Sequence, residues 1–241
     1  MLHKASADGG LGFCHPALPG ILPSGHHGPL VVALDSNILI DLQQHGSELL
    51  DEGSLTFEGD ATGGYLTELA ALVDLLNLWL LRDIRFVVTP ASKTDAKKAA
   101  ERMVAKRQRS IDALANSLAF QLGDWGMLAP SEGPAPVPIG DETGLPPGAD
   151  RDLVLEAQAV GAHVFLTRDE EVLSKTFLTG PFVAVLSPSA LMAEFASTDV
   201  QPFFGGTCGG AGCPYEDWAF LAPDIGKWDG LFSILDESGS T

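Results

Sequence analysis

The chain has 241 residues, 45% of them hydrophobic, a mean hydropathy of +0.16 and a formal charge of −18 at pH 7. So much apolar content excludes wholesale disorder, and the excess of acid excludes a surface coated evenly for nucleic acid, because phosphate contacts need Lys and Arg. Three cysteines (Cys14, Cys208, Cys213) are too few and too irregular for a disulfide framework, no apolar run approaches the roughly 20 residues of a membrane span, and no secretory signal opens the chain, so a soluble, cytoplasmic protein is expected.

Residues 1–29 are rich in Gly, Pro and His without helical or strand period, and are expected to form an irregular arm. Leu30 to Leu34 is a continuous apolar run ending at Asp35, the pattern of a strand buried on both faces of a parallel sheet, and a helix follows it near Ile38. Residues 65–82 repeat apolar positions at helical spacing almost all round, which predicts a well-buried helix. Arg85 to Thr89 reads as a second strand, and Ser92 to about Leu122 as one long helix rich in Ala, Lys and Gln. Residues 126–149 hold six of the 16 prolines and predict a long loop or lid. A helix from Asp150, a strand His163 to Thr167, a helix from Asp169, a strand Phe182 to Leu186 and a helix Ser189 to Phe195 follow. Alternating strands and helices predict a three-layer α/β/α sandwich around a parallel sheet, spanning residues 30–196. The extension 197–241 carries seven acids, the single base Lys227 and seven aromatics.

The carboxyl edge of such a sheet is where ligands bind, and acids gather at the points that reach it. Asp35 ends the first strand, Asp169 ends the third, and Asp152 opens the helix between them, with Asp150 two residues earlier. Asp35 and Asp169 are each explained alone as a helix cap, but capping does not explain why Asp152 opens the preceding helix. Converging together they repel unless cations intervene, and hard ions such as Mg²⁺ or Mn²⁺ suit oxygen donors.

Three strings, VVALDSNILIDL (31–42), RDLVLEAQAVGAHVFLTRDEEV (151–172) and, more weakly, FVVTPASKTDA (86–96), resemble the PIN-domain family of metal-dependent nucleases, the VapC-like toxins among them. The resemblance covers roughly residues 30–187 and implies the same sandwich, PIN-like. It implies Asp35, Asp152 and Asp169 as catalytic and metal-holding acids, with Asp150 as a further ligand. Where the family typically carries Glu after its second strand, this chain has Asp95, one methylene shorter, with Glu68 in YLTEL as the competing second acid. Asn37 and Thr167 match positions that assist by hydrogen bonding to the acids or to phosphate.

The activity so implied is hydrolysis of RNA phosphodiesters, toxin-like or RNA-processing, with Mg²⁺ or Mn²⁺ as cofactor. RNA, single-stranded or structured, is the implied substrate, and an antitoxin or other protein and a second copy of the chain are the implied partners. Seven of the 14 Lys and Arg fall between Lys93 and Arg109. On one continuous helix, Lys98, Arg102 and Arg109 would share the side of Asp95 and dock the backbone phosphate; they otherwise form an ordinary solvated face with Glu101 and Asp112 interspersed. The alternative is a PIN-like scaffold that binds RNA or protein without cutting. A phosphatase of the haloacid-dehalogenase kind needs a second Asp where Asn37 stands. Asp41 reads as part of a solvated helix face or as an acid supporting the site, and Cys208 with Cys213 as half a zinc site lacking nearby partners.

Overall fold

The computed structural model describes residues 11–50, 63–98, 101–121, 144–175, 183–201 and 205. The proline-rich stretch as far as 143, Cys208, Cys213 and the tail beyond 205 lie outside the described residues, as does the side chain of Arg102. The architecture is mixed α/β. A four-stranded parallel sheet runs β4-β3-β5-β6, where β3 is Leu30–Leu34, β4 Ile84–Val87, β5 Val164–Leu166 and β6 Ala184–Leu186. All five residues of β3 are buried, because neighbours pair on both edges and helices cover both faces.

Alternation along the strands divides the core in two. Leu30, Val32 and Leu34 join Ile84, Phe86, Val164 and Leu166 in the larger cluster. Val31, Ala33, Val87, Phe165 and Val185 face the smaller. Four helices fill the first side: α1 (Ser36–Leu50), α2 (Gly63–Leu81), α4 (Val104–Gln121) and α7 (Pro188–Ser197). The second is covered by α5 (Ala149–Ala159), through Leu153, Val154 and Ala157, and by α6 (Glu170–Lys175), through Val172. The short α3 (Pro90–Ala96) starts at a Thr89 cap, its Ala96 packing in the larger core and its Ala91 against the smaller.

Three expectations are corrected. Residues 11–29, expected as an irregular arm, contribute to the core: β1 (Phe13–Cys14) pairs antiparallel with β2 (His27–Gly28), and Phe13, Leu18 and Leu22 are buried in the larger cluster. Fully buried Arg82 ties them in. Its guanidinium donates to the main-chain carbonyls of Leu11 and Gly12 and, from the other end of the domain, Gln201 and Gly205, and lies 4.5 Å from the Phe13 ring centroid. A buried charge is tolerated here because carbonyl dipoles replace its water.

α2 is, by length and composition, apolar enough to cross a membrane, contrary to the expectation that no run approaches that size. Its Leu69, Leu72, Leu75, Leu76 and Trp79 are buried in the larger core.

The predicted long helix from Ser92 is broken. After α3 comes a single 3₁₀ turn, Glu101–Met103, before α4. In one continuous helix Lys93 and Asp112 would stand about 28 Å apart; they form an ion pair of 2.8 Å, and Lys97 joins the same carboxylate at 2.8 Å. Arg107 Nη1 donates to the Lys98 carbonyl beyond the end of α3. Packing of both segments against α1 has overridden a composition that favours continuity.

Candidate acidic site at the sheet switch point

From β3 the chain passes to β4 on one side, then crosses back to β5 and β6 on the other. Adjacent strands β3 and β5 therefore lead away in opposite directions at their carboxyl ends, which opens a crevice between them. Asp35 follows β3 and Thr167 follows β5, one on each lip.

Asp35 is 4% exposed and accepts three hydrogen bonds. Oδ1 takes the Ser36 N–H at 2.6 Å; Oδ2 takes Asn37 Nδ2 at 2.6 Å and Thr167 Oγ1 at 2.6 Å. Thr167 in turn accepts from Asn37 Nδ2 and from the Asp169 N–H, both at 3.0 Å, while Asn37 Oδ1 accepts the Arg168 N–H at 3.1 Å. Asn37 and Thr167, expected to assist the acids, both meet Asp35. Burial pushes the Asp35 carboxyl above its ordinary range, the hydrogen bonds from Thr167 and Ser36 oppose this, and the charge of Asp95 adds to the rise.

Asp95, in α3, reaches the same crevice. The Ser36 side chain lowers the pKa of both carboxylates, and the charge of Asp95 is felt at Asp35. Partial burial raises the Asp95 carboxyl, but hydrogen bonds from Lys98 and Ser36 outweigh this and hold it below its ordinary range. Asp95, Lys98, Asp152, Leu153 and Glu156 line an open depression of about 360 Å³ between α3 and α5. Glu156 Oε2 accepts the Ala91 N–H at 2.8 Å, which caps α3 from across the gap.

Asp150 and Asp152 are exposed in the first turn of α5. Burial and then the charges of Asp169, Glu171 and Asp95 raise the Asp150 carboxyl. Asp169 caps α6, its Oδ1 accepting the N–H groups of Glu171 at 2.8 Å and Val172 at 3.2 Å. Asp35 and Asp150 thus both feel the charge of Asp95, Asp150 feels that of Asp169 as well, and Asp152 lines the depression with Asp95. Among the described residues, however, no three His, Cys, Asp or Glu side chains stand close enough together to hold an ion as they are placed.

Glu68, the competing second acid, is committed elsewhere: its carboxylate accepts the Ser189 N–H at 2.9 Å and the hydroxyls of Ser187 and Ser189 at the start of α7. Lys98 binds Asp95, and Arg109 is exposed on α4 beyond the break, so the basic side chains are not aligned along one helix. Asp41, read as either a solvated or a supporting acid, is 1% exposed. Arg168 Nε and Nη2 donate to its two oxygens at 2.5 and 2.8 Å, and the Tyr65 hydroxyl donates at 3.0 Å.

Sequence reasoning missed Ser36, Arg168 and Tyr65. The available signal was the i, i+4 spacing of Asn37 and Asp41 on a helix otherwise apolar toward the sheet, a pair that demands a polar partner from a neighbouring element.

The fold and site define a parallel α/β protein with an acidic crevice at its switch point. Compared with family models, curated proteins and solved structures, the chain matches none.

Proposed function

We propose that the protein is a PIN-like, metal-dependent ribonuclease whose crevice between β3 and β5 takes an RNA phosphodiester. One observation carries the reading: a buried carboxylate, Asp35, sits at the switch point and feels the charge of Asp95, which with Asp169 and Glu171 also raises the carboxyl of Asp150 on α5. A surplus of negative oxygen at one edge is what a hard divalent cation relieves.

The donor chemistry fits Mg²⁺ or Mn²⁺. Asp35, Asp95 and Asp152, with Asp150 and Asp169 beside them, would hold it, the pair on α5 being exposed. When bound, the ion supplies a water of lowered pKa and charge stabilisation at the leaving oxygen. The chain's own residues prepare the place. Thr167, Asn37 and the Ser36 N–H fix the orientation of Asp35, and Lys98 offers a cation at the mouth for a substrate phosphate.

A second reading, a PIN-like scaffold that binds without cutting, is favoured by the fact that protein donors already engage these acids: three bonds on Asp35, Lys98 on Asp95, and the α6 cap on Asp169. End-labelled RNA incubated with the protein and Mn²⁺ separates the two. The nuclease produces 5′-phosphate ends that EDTA suppresses; a scaffold shifts RNA on a gel and leaves it whole.

A further inference from the structure

We propose that Arg168 is a positioning residue of this crevice, clasping the β5–α6 turn to α1 at two successive levels so that the acids on the two lips keep their separation. The inference rests on the nuclease reading for its consequence but on geometry for its substance. Arg168 lies between Thr167, which bonds Asp35, and Asp169, which caps α6. Its main-chain N–H is held by Asn37 Oδ1, and its guanidinium grips both oxygens of Asp41, one turn further along α1. Asp41 is buried and the Tyr65 hydroxyl joins it, while the Tyr65 ring lies 4.6 Å beneath the guanidinium carbon.

Those contacts decide against a role as a direct phosphate ligand. Two guanidinium nitrogens are committed to Asp41, one face is covered by Tyr65, and only 24% of the side chain is exposed. The charge is likewise spent on its partner: the hydrogen bonds and charge of Arg168 pull the Asp41 carboxyl down against the larger upward push of burial. Burial and the neighbouring Asp41 push the Tyr65 hydroxyl up to about 12, so it remains a donor to that carboxylate. What remains for Arg168 is mechanical. A planar fork gripping a buried carboxylate restricts the turn more tightly than a point charge could.

Three variants test this: Arg168→Lys, Arg168→Met and Asp41→Asn. In metal-free protein, hydrogen exchange of the Arg168 amide and of the Asn37 side-chain amide reads the clasp directly. Both are expected to exchange at least about 10-fold faster in Arg168→Met and Asp41→Asn and by a smaller factor in Arg168→Lys. With Mn²⁺ and RNA, kcat is expected to fall about 10- to 100-fold in the first two, with KM for RNA within a factor of about two, and the double variant is expected to be no worse than either single. Arg168→Lys, which keeps the charge, recovers part of the rate and remains informative if Arg168→Met does not fold.

Unchanged exchange overturns the proposal, as does a raised KM at constant kcat, which assigns Arg168 to substrate contact. If wild-type protein neither cuts RNA nor responds to Mn²⁺, the nuclease reading fails while exchange still decides the clasp.

Discussion

Replacing Asp35 by Asn changes one oxygen for an NH₂ and leaves the shape alone, so its effects follow from the bonding around it. Three donors converge on the carboxylate: the Ser36 N–H, Asn37 Nδ2 and Thr167 Oγ1, each at 2.6 Å. An amide has a single acceptor oxygen, so either orientation sets its NH₂ against at least one buried donor, at a cost of about 1–3 kcal/mol. Removing the charge offsets part of this, because burial and Asp95 make the ionised form unfavourable in the fold. A net loss of no more than about 2 kcal/mol at pH 7 is expected. The pH dependence is more specific. A carboxyl whose folded pKa lies above 3.8 binds more protons folded than unfolded, so its penalty sets in as pH rises through the folded pKa and vanishes below the unfolded one. Wild type should gain on the variant as pH is lowered toward 3.8, read as a widening gap in urea-unfolding free energy. Cleavage of RNA with Mn²⁺ should drop at least about 100-fold, since the buried ligand is lost. A folded Asp35→Asn protein that cuts at the wild-type rate refutes the chemical reasoning, and a stability gap flat with pH refutes the account of burial.

His163 should make the fold acid-sensitive: its Nδ1 accepts the Val31 N–H at 3.0 Å, and burial, then the neighbouring His26, lowers its pKa to about 4. Its contribution is complete above pH 6.5 and is lost as pH falls from there through 4, up to about 3 kcal/mol in all, and His163→Gln, which keeps an acceptor, should flatten that limb of a pH–stability profile. Gly205 has φ +74°, and a Cβ there would lie 1.9 Å from the Asp199 carbonyl oxygen. Gly205→Ala should therefore cost about 2 kcal/mol or more and speed exchange at Gln201, and a thermal midpoint equal to wild type would contradict that placement. Lys98→Gln should weaken RNA binding uniformly across sequences and lower the salt slope by about 1, with a thermal midpoint close to wild type because Lys98 is largely exposed.

The parallel sheet was legible because buried strands carry uninterrupted apolar runs: Leu30 to Leu34 was bounded to the residue, and the other three strands were found with ends misplaced by a residue or two. Asp35, Thr167 and Asn37 were legible for a related reason, since strand termini in such sheets point at a common edge. Less was visible where tertiary contacts decide. No period marks Phe13, Leu18 and Leu22 as core, because their placement depends on a turn and on a buried arginine 60 or more residues away. The break before α4 has no Gly or Pro to announce it, only the charges of Lys93 and Lys97 meeting Asp112 once the chain has folded back. Asp41 looked like an ordinary helical acid because its partner, Arg168, lies 127 residues further along the chain.

The central claim is that the acids of the β3–β5 crevice accept a divalent ion. A crystal soaked in Mn²⁺ and measured at the manganese absorption edge tests it most directly. The account predicts an anomalous peak within bonding distance of an Asp35 oxygen and of at least one of Asp95, Asp150, Asp152 or Asp169, about 2.2 Å from each oxygen it touches. Ordered density for all five carboxylates with no such peak, in a crystal grown free of chelator, contradicts it.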